Sequence, residues 1–218
     1  MFRNRAEAGR RLGARLLERR LTGDVIVLGL PRGGVPVACE VGGAIGAPVD
    51  VLIVRKLGAP FNPELAIGSI ASGGVTVYND RILEQLGIGP KELAPIVERE
   101  HEELARREQL YRGDAPLPEL AGKVVVLVDD GAATGATMHA GVEAVKALAP
   151  ARVIVALPTS SRDAAERLGR VADEVIILST PEPYYSVGSW YLEFGQLSDA
   201  DVSDWLARTG GGRQETVP

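Results

Sequence analysis

The chain has 218 residues, of which 45% are hydrophobic and 24% charged. That is enough apolar material for a full core and argues against a disordered chain. With 24 Lys and Arg against 29 Asp and Glu the formal charge is −5, so a global polyanion binder is disfavoured and any phosphate recognition must be local. In chain order, "MFRNRAEAGRRLGARLLERRL" is Arg-rich, but Glu7 and Glu18 interrupt the charge. Phe2, Ala6, Leu12, Leu16 and Leu17 recur at helical spacing, so an amphipathic helix is expected rather than a transit peptide. "DVIVLGL" (24–30) reads as a buried strand and 35–47 as a helix with Pro36 in its first turn. "VDVLIV" (49–54) reads as a second buried strand, and 65–79 as a hairpin around Gly73-Gly74. Residues 80–87 and 90–112 read as helices, 123–128 as a strand and 137–149 as a helix. A strand at 152–158, a helix at 161–169, a strand at 174–179 and a helix near 199–208 follow. Residues 209–218 are expected to form a loose tail.

Continuous apolar strands alternating with helices predict an α/β domain with a mainly parallel sheet covered on both faces. Ligands of such sheets bind at the edge formed by the strand C-termini. The segments there are "GLPRGG", "RKLGAP", "DDGAATGAT" and "PTSS". Cys39 has no internal disulfide partner, and a reducing, cytoplasmic setting is expected. No apolar run reaches the roughly 20 residues of a membrane helix. His101 and His139 are isolated, with no metal-ligand spacing.

The most informative stretch is "VVVLVDDGAATGATMHA" (124–140). A buried strand ends on two adjacent carboxylates, and a loop of Gly, Ala and Thr then leads into a helix. Gly131 and Gly135 permit tight turns, Thr134 and Thr137 supply hydroxyls, and the helix offers free N–H groups. That combination suits a phosphate monoester. The loop lacks the lysine of a P-loop, and neither 131–137 nor 29–34 has the spacing of a dinucleotide fingerprint. Two carboxylates beside a monophosphate loop suit a sugar phosphate, the acids accepting from a diol. The stretch resembles the ribose-phosphate motif of the type I phosphoribosyltransferases.

The resemblance implies that family's fold: a twisted, mainly parallel β-sheet flanked by helices, in a single domain spanning the chain. It further implies a hood and flexible hairpin at about 58–118 and base-side elements at about 181–208. Asp129 and Asp130 would hold the ribose hydroxyls of phosphoribosyl pyrophosphate (PRPP). Gly131, Ala132, Ala133, Thr134, Gly135, Ala136 and Thr137 would wrap its 5-phosphate. Arg32, Gly33 and Gly34, in "GLPRGGVP", are similar to the family's pyrophosphate loop. Arg55 and Lys56 are expected as a second pyrophosphate clamp at the end of the second strand, with Arg112 a further candidate. Mg²⁺ would be held by Asp129 and Asp130 mainly through PRPP and water. "Tyr185-Ser186-Val187-Gly188" resembles the segment in which an aromatic stacks on an oxopurine base. Ala133, where oxopurine enzymes usually carry an aspartate, is closer to adenine-type loops, so the base stays unnamed with a purine type favoured.

The expected activity is Mg²⁺-dependent transfer of a 5-phosphoribosyl group from PRPP to a nitrogenous base, as in nucleotide salvage. A PRPP-sensing regulator that keeps the site without turnover stays open. No DNA or membrane partner is expected, and a homodimer is implied by the resemblance alone. A sugar-phosphate hydrolase is disfavoured because no nucleophile–base pair is apparent.

Overall fold

The computed structural model describes residues 1–209, apart from the side chain of Glu64; the tail beyond Thr209 lies outside the described residues. Helix α1 (Arg5–Leu17) leads into β1 (Val25–Gly29), α2 (Gly34–Ile45) and β2 (Val49–Val51). Next come β3 (Val54–Ala59), β4 (Asn62–Ala71), β5 (Val75–Tyr78), α3 (Asp80–Leu86) and the long α4 (Pro90–Arg112). The second half is β6 (Val124–Val128), α5 (Ala136–Lys146), β7 (Arg152–Thr159), α6 (Arg162–Leu168), β8 (Glu174–Ser179) and α7 (Asp199–Arg208), with a 3₁₀ turn at Gly188–Trp190 before the last helix.

Five strands form a parallel sheet in the order β2-β1-β6-β7-β8. Every residue of β6 is buried, which explains its unbroken Val/Leu run. Its side chains alternate between two cores. Val124, Val126 and Val128 pack with α1, α2, α4 and α7, while Val125 and Leu127 pack with α5 and α6. Helices therefore cover both faces, as the sequence pattern predicts.

Helix α1 lies against α2 at unusually close range. A Cβ at Gly9 would stand 2.7 Å from the Glu40 Cβ and 2.8 Å from the Val37 carbonyl oxygen, and one at Gly13 would stand 2.6 Å from the Ala44 Cβ. Asn4 caps α1 by accepting from the Glu7 N–H. Cys39, within α2, is buried, and burial pushes its thiol up to about 11, as suits an inert apolar group.

One expectation needs correction. The run 49–54 is not a single strand. It pairs with β1 only as far as Val51, and the Leu52 N–H then donates to the Gly29 carbonyl. At Ile53 the partner changes: its N–H donates to the Ser72 hydroxyl and its carbonyl accepts from the Ser72 N–H. Val54 then opens a separate antiparallel sheet, β3-β4-β5. The expected hairpin around Gly73-Gly74 is present as β4 and β5, with β3 as an additional partner. Among the described residues, no helix is long and apolar enough to cross a membrane.

The strand order places the site. From β1 the chain goes outward to β2 on one side, and later strands build from β6 on the other. Between β1 and β6 the winding direction reverses, which opens a crevice at the strand C-termini. Gly29 lies opposite Val128, so the loops after both strands start at one level.

Candidate functional site

Two loops meet at that crevice. The first is Leu30–Gly34, in which the Pro31–Arg32 peptide bond is cis. Leu30 is tied across to β6, its N–H donating to the Val128 carbonyl at 2.9 Å. The second loop begins with Asp129 and Asp130. The two pack so closely that a Cβ at Gly33 would fall inside the Asp130 carboxylate. One at Gly34 would stand 2.6 Å from the Val128 carbonyl oxygen and 2.8 Å from the Asp129 Cα. At Gly34 the backbone of Val128 and Asp129 leaves no room for a side chain, and at Gly33 a side chain would displace the Asp130 carboxylate. The structure thus brings Gly33, Gly34, Asp129 and Asp130 together, with Arg32 exposed beside them.

The acids sit in a poorly solvated place. Asp129 accepts from the Asp130 N–H through Oδ1 at 2.8 Å. Burial, then the charge of Asp130, holds its carboxyl well above the ordinary 3.8. Burial also raises Asp130, opposed by the hydrogen bond and charge of Arg5. A carboxyl raised in the folded state binds more protons there than in the unfolded chain, so its stabilising effect is full below about pH 4 and is lost as pH rises through the folded value. Between mildly acidic and neutral pH the wild-type melting temperature is expected to fall relative to that of Asp129→Asn. Parallel melting curves over that range would show that Asp129 is not desolvated.

Arg5 is a contact that sequence reading missed. Its Nε lies 2.8 Å from the Asp130 Oδ2, with both side chains 12% exposed. Its Nη1 donates to the Gly195 carbonyl at 2.9 Å, and its guanidinium lies 3.9 Å over the Phe194 ring. One signal was available. Arg5 occupies the first turn of α1, where the helix dipole disfavours a cation, so an acidic partner elsewhere was to be expected. Tyr191, also missed, donates its hydroxyl to the Asp130 carbonyl at 2.6 Å.

The rest of the second loop is braced from β7. The Ala132 N–H donates to the Thr159 carbonyl and the Ser161 N–H to the Ala132 carbonyl, while the Ser161 hydroxyl donates to the Ala133 carbonyl. Gly135 takes a left-handed backbone (φ 72°) at the N-cap of α5, and Ala133, Thr134, Ala136 and Thr137 remain exposed. Thr134, Gly135, Ala136 and Thr137 form one wall of a cavity of about 610 Å³. Lys56, Tyr78 and Arg167 line other parts of it, and so does His139. The two acids and the 31–34 loop do not line this cavity; the 134–137 loop joins the two regions.

Several expected residues lie elsewhere. Arg55 and Lys56 do not end a strand of the parallel sheet but lie within β3. Neighbours on a strand point to opposite faces, so both cannot face one ligand. Lys56 lines the cavity, whereas Arg55 turns to α4 and pairs with Glu100 at 2.6 Å. Arg112 is enclosed, its side chain 3% exposed. It pairs with Asp50 at 2.8 Å and Glu108 at 3.1 Å and also donates to the Val51 carbonyl. In this arrangement its guanidinium fastens α4 to the end of β2. Tyr185 is 81% exposed. Its neighbour Tyr184 turns inward and stacks on Trp190, ring centroids 6.1 Å apart. Val187 packs onto the second loop: a Cβ at Gly131 would stand 2.7 Å from its Cγ1.

Residues 3–185 match the family described as the phosphoribosyl transferase domain. The chain belongs to this family. Over 209 residues it is 43% identical to "Putative phosphoribosyl transferase Rv0571c" of Mycobacterium tuberculosis, covering 95% of this chain and 47% of that protein. The chain thus spans about half the length of the curated relatives it matches. TT1426 from Thermus thermophilus has the same fold at a TM-score of 0.86 and 42% identity, over 95% of this chain and 98% of that one. AQ2163 from Aquifex aeolicus shares the fold at a TM-score of 0.51 and 15% identity, over 91% and 81% of the two chains.

Proposed function

We propose that this phosphoribosyl transferase domain binds PRPP with Mg²⁺ and transfers its 5-phosphoribosyl group to a nitrogenous base, purine-type by preference, releasing pyrophosphate. The observation that carries this reading is the packing of Gly33 and Gly34 directly against Asp129 and Asp130 at the switch point of the sheet. Two carboxylates beside bare backbone at one crevice support a diol acceptor next to an anion loop.

In this reading Asp129 and Asp130 accept from the ribose hydroxyls. Residues 131–137 surround the 5-phosphate, using the N–H groups at the start of α5. Arg32 and the backbone of Gly33 and Gly34 take the pyrophosphate, while Lys56 reaches from β3 into the cavity walled by residues 134–137. When C1–O cleavage builds negative charge on the leaving pyrophosphate, these fixed donors stabilise it. Among the described residues no cluster of three or more His, Cys, Asp or Glu could cage a metal. Two carboxylates suit Mg²⁺ all the same, since that ion usually keeps its waters and is held by one or two acids together with substrate phosphates. When bound, it would neutralise charge on the pyrophosphate. The antiparallel sheet with α4 forms the hood in this proposal and excludes water on closing. Val187 and the exposed Tyr185 border the base, in a cytoplasmic homodimer.

A PRPP sensor without turnover is the second reading. It is favoured by one observation: Arg55 is paired with Glu100, which leaves fewer cations for the leaving group. Pyrophosphate release with PRPP, Mg²⁺ and a panel of purine and pyrimidine bases separates the two. Base-dependent release is the expected result and names the acceptor. PRPP binding without release from any base would select the sensor.

A further inference from the structure

The N-terminus of this chain is built into the acid pair. The Phe2 N–H donates to the Trp190 carbonyl at 2.8 Å, the Leu192 N–H to the Phe2 carbonyl at 2.9 Å and the Glu193 N–H to the Arg3 carbonyl at 2.8 Å. Phe2 and Tyr191 pack ring to ring, 5.5 Å between centroids, and Tyr191 and Phe194 do so at 5.0 Å. The two segments, nearly the whole chain apart in sequence, form one short parallel pairing. Two residues beyond its last bond, at the start of α1, stands Arg5, whose guanidinium is fixed by Asp130, Gly195 and Phe194.

We propose that Arg5 is a positioning residue for ligand binding, holding Asp130 in the orientation in which it receives the ribose hydroxyls of PRPP. The inference rests on the PRPP reading above. Three geometric facts carry it. Arg5 engages Oδ2 of Asp130, so the carboxylate cannot rotate freely and offers a ligand its other oxygen. The same Oδ2 is also the carboxylate oxygen nearest Gly33, so Arg5 and the 31–34 loop both act on one oxygen and leave the other to a ligand. Tyr191 holds the Asp130 main chain from the same C-terminal segment that carries Phe194.

Charge gives a second reason. PRPP is a polyanion, and two adjacent carboxylates repel it. A guanidinium 2.8 Å from one of them offsets that repulsion in a region of low solvent screening, where the effect is larger than in water. The planar fork also sets direction as well as charge, which an ammonium would not do.

The test is PRPP–Mg²⁺ binding by calorimetry for wild type, Arg5→Ala and Arg5→Lys, each beside a thermal melt. Arg5→Ala is expected to weaken binding about tenfold or more, the scale of one lost charge-assisted hydrogen bond. Arg5→Lys should recover part of it, because the charge returns without the fork. Recovery of affinity by the lysine variant that does not track its melting temperature is what a purely architectural role would not produce. Should Arg5→Ala fail to fold, Arg5→Gln, which keeps a donor without the charge, takes its place with the same expected loss. A folded variant with a lower melting temperature and wild-type PRPP affinity would overturn the inference and leave Arg5 as an anchor of α1. Absence of PRPP binding by the wild type itself would instead overturn the PRPP reading, and the inference with it.

Discussion

Replacing Asp129 and Asp130 together with asparagine is expected to abolish PRPP binding while the protein still folds. Each acid in the ionised state offers charge-assisted acceptors, each worth about 1.5–3 kcal/mol. Losing one such bond per acid weakens binding by more than about a hundredfold. Folding should not suffer in proportion. Burial raises both carboxyls, so the free protein bears a cost in keeping them ionised at neutral pH. Asparagine has nearly the same shape and no charge to desolvate. The Asp130 variant does leave Arg5 without an anion, which offsets part of that gain. Calorimetry with PRPP and Mg²⁺, beside a thermal melt of the same preparation, measures both effects. Wild-type affinity in a folded double variant would refute the role of the acids in holding the diol.

The second large effect concerns Arg112, and it runs the other way. Arg112→Ala is expected to cost about 3 kcal/mol of stability with little change in PRPP affinity per folded molecule. Removing one partner of a buried ion pair typically costs about 3–5 kcal/mol, because the remaining charge is left uncompensated. Here Asp50 and Glu108 keep some access to solvent, so the lower end applies. The buried Val51 carbonyl also loses a donor. Against a typical domain stability of about 5–15 kcal/mol this is severe. Denaturant unfolding gives the stability change and calorimetry the affinity. A variant of wild-type stability that binds PRPP poorly would return Arg112 to the ligand.

These contrasts show what the amino-acid order reveals here. Parallel strands buried on both faces must be apolar throughout, so β1, β6 and β7 could be located from their runs of Val, Ile and Leu, and the partly buried edge strand β8 from its shorter run. The same property hid the change of sheet at Leu52 and Ile53: both residues are buried, one in each core, and nothing in "VDVLIV" marks a new partner. The Asp129–Asp130 and Gly33–Gly34 pairs were legible because each is a local pattern of carboxylates or bare backbone. Arg5 and Tyr191 act across 125 and 61 residues of separation, so no window along the chain joins them to Asp130. Arg55 and Arg112 were placed by position in sequence, but strand alternation and enclosure decided which way each guanidinium faces. Tyr184 and Tyr185 differ in the same manner: adjacent in sequence, one turned inward and one outward.

The close seating of α1 on α2 reaches beyond helix packing. Arg5 opens the first helix and Gly34 opens the second, so two parts of the acid site are carried on a pair of rods joined without side chains at Gly9 and Gly13. A methyl group at either glycine would wedge the rods apart and shift the guanidinium relative to the 31–34 loop. In a saturation screen selected on activity, Gly9 and Gly13 should therefore score with Gly33 and Asp130, although neither glycine comes from a loop at the crevice.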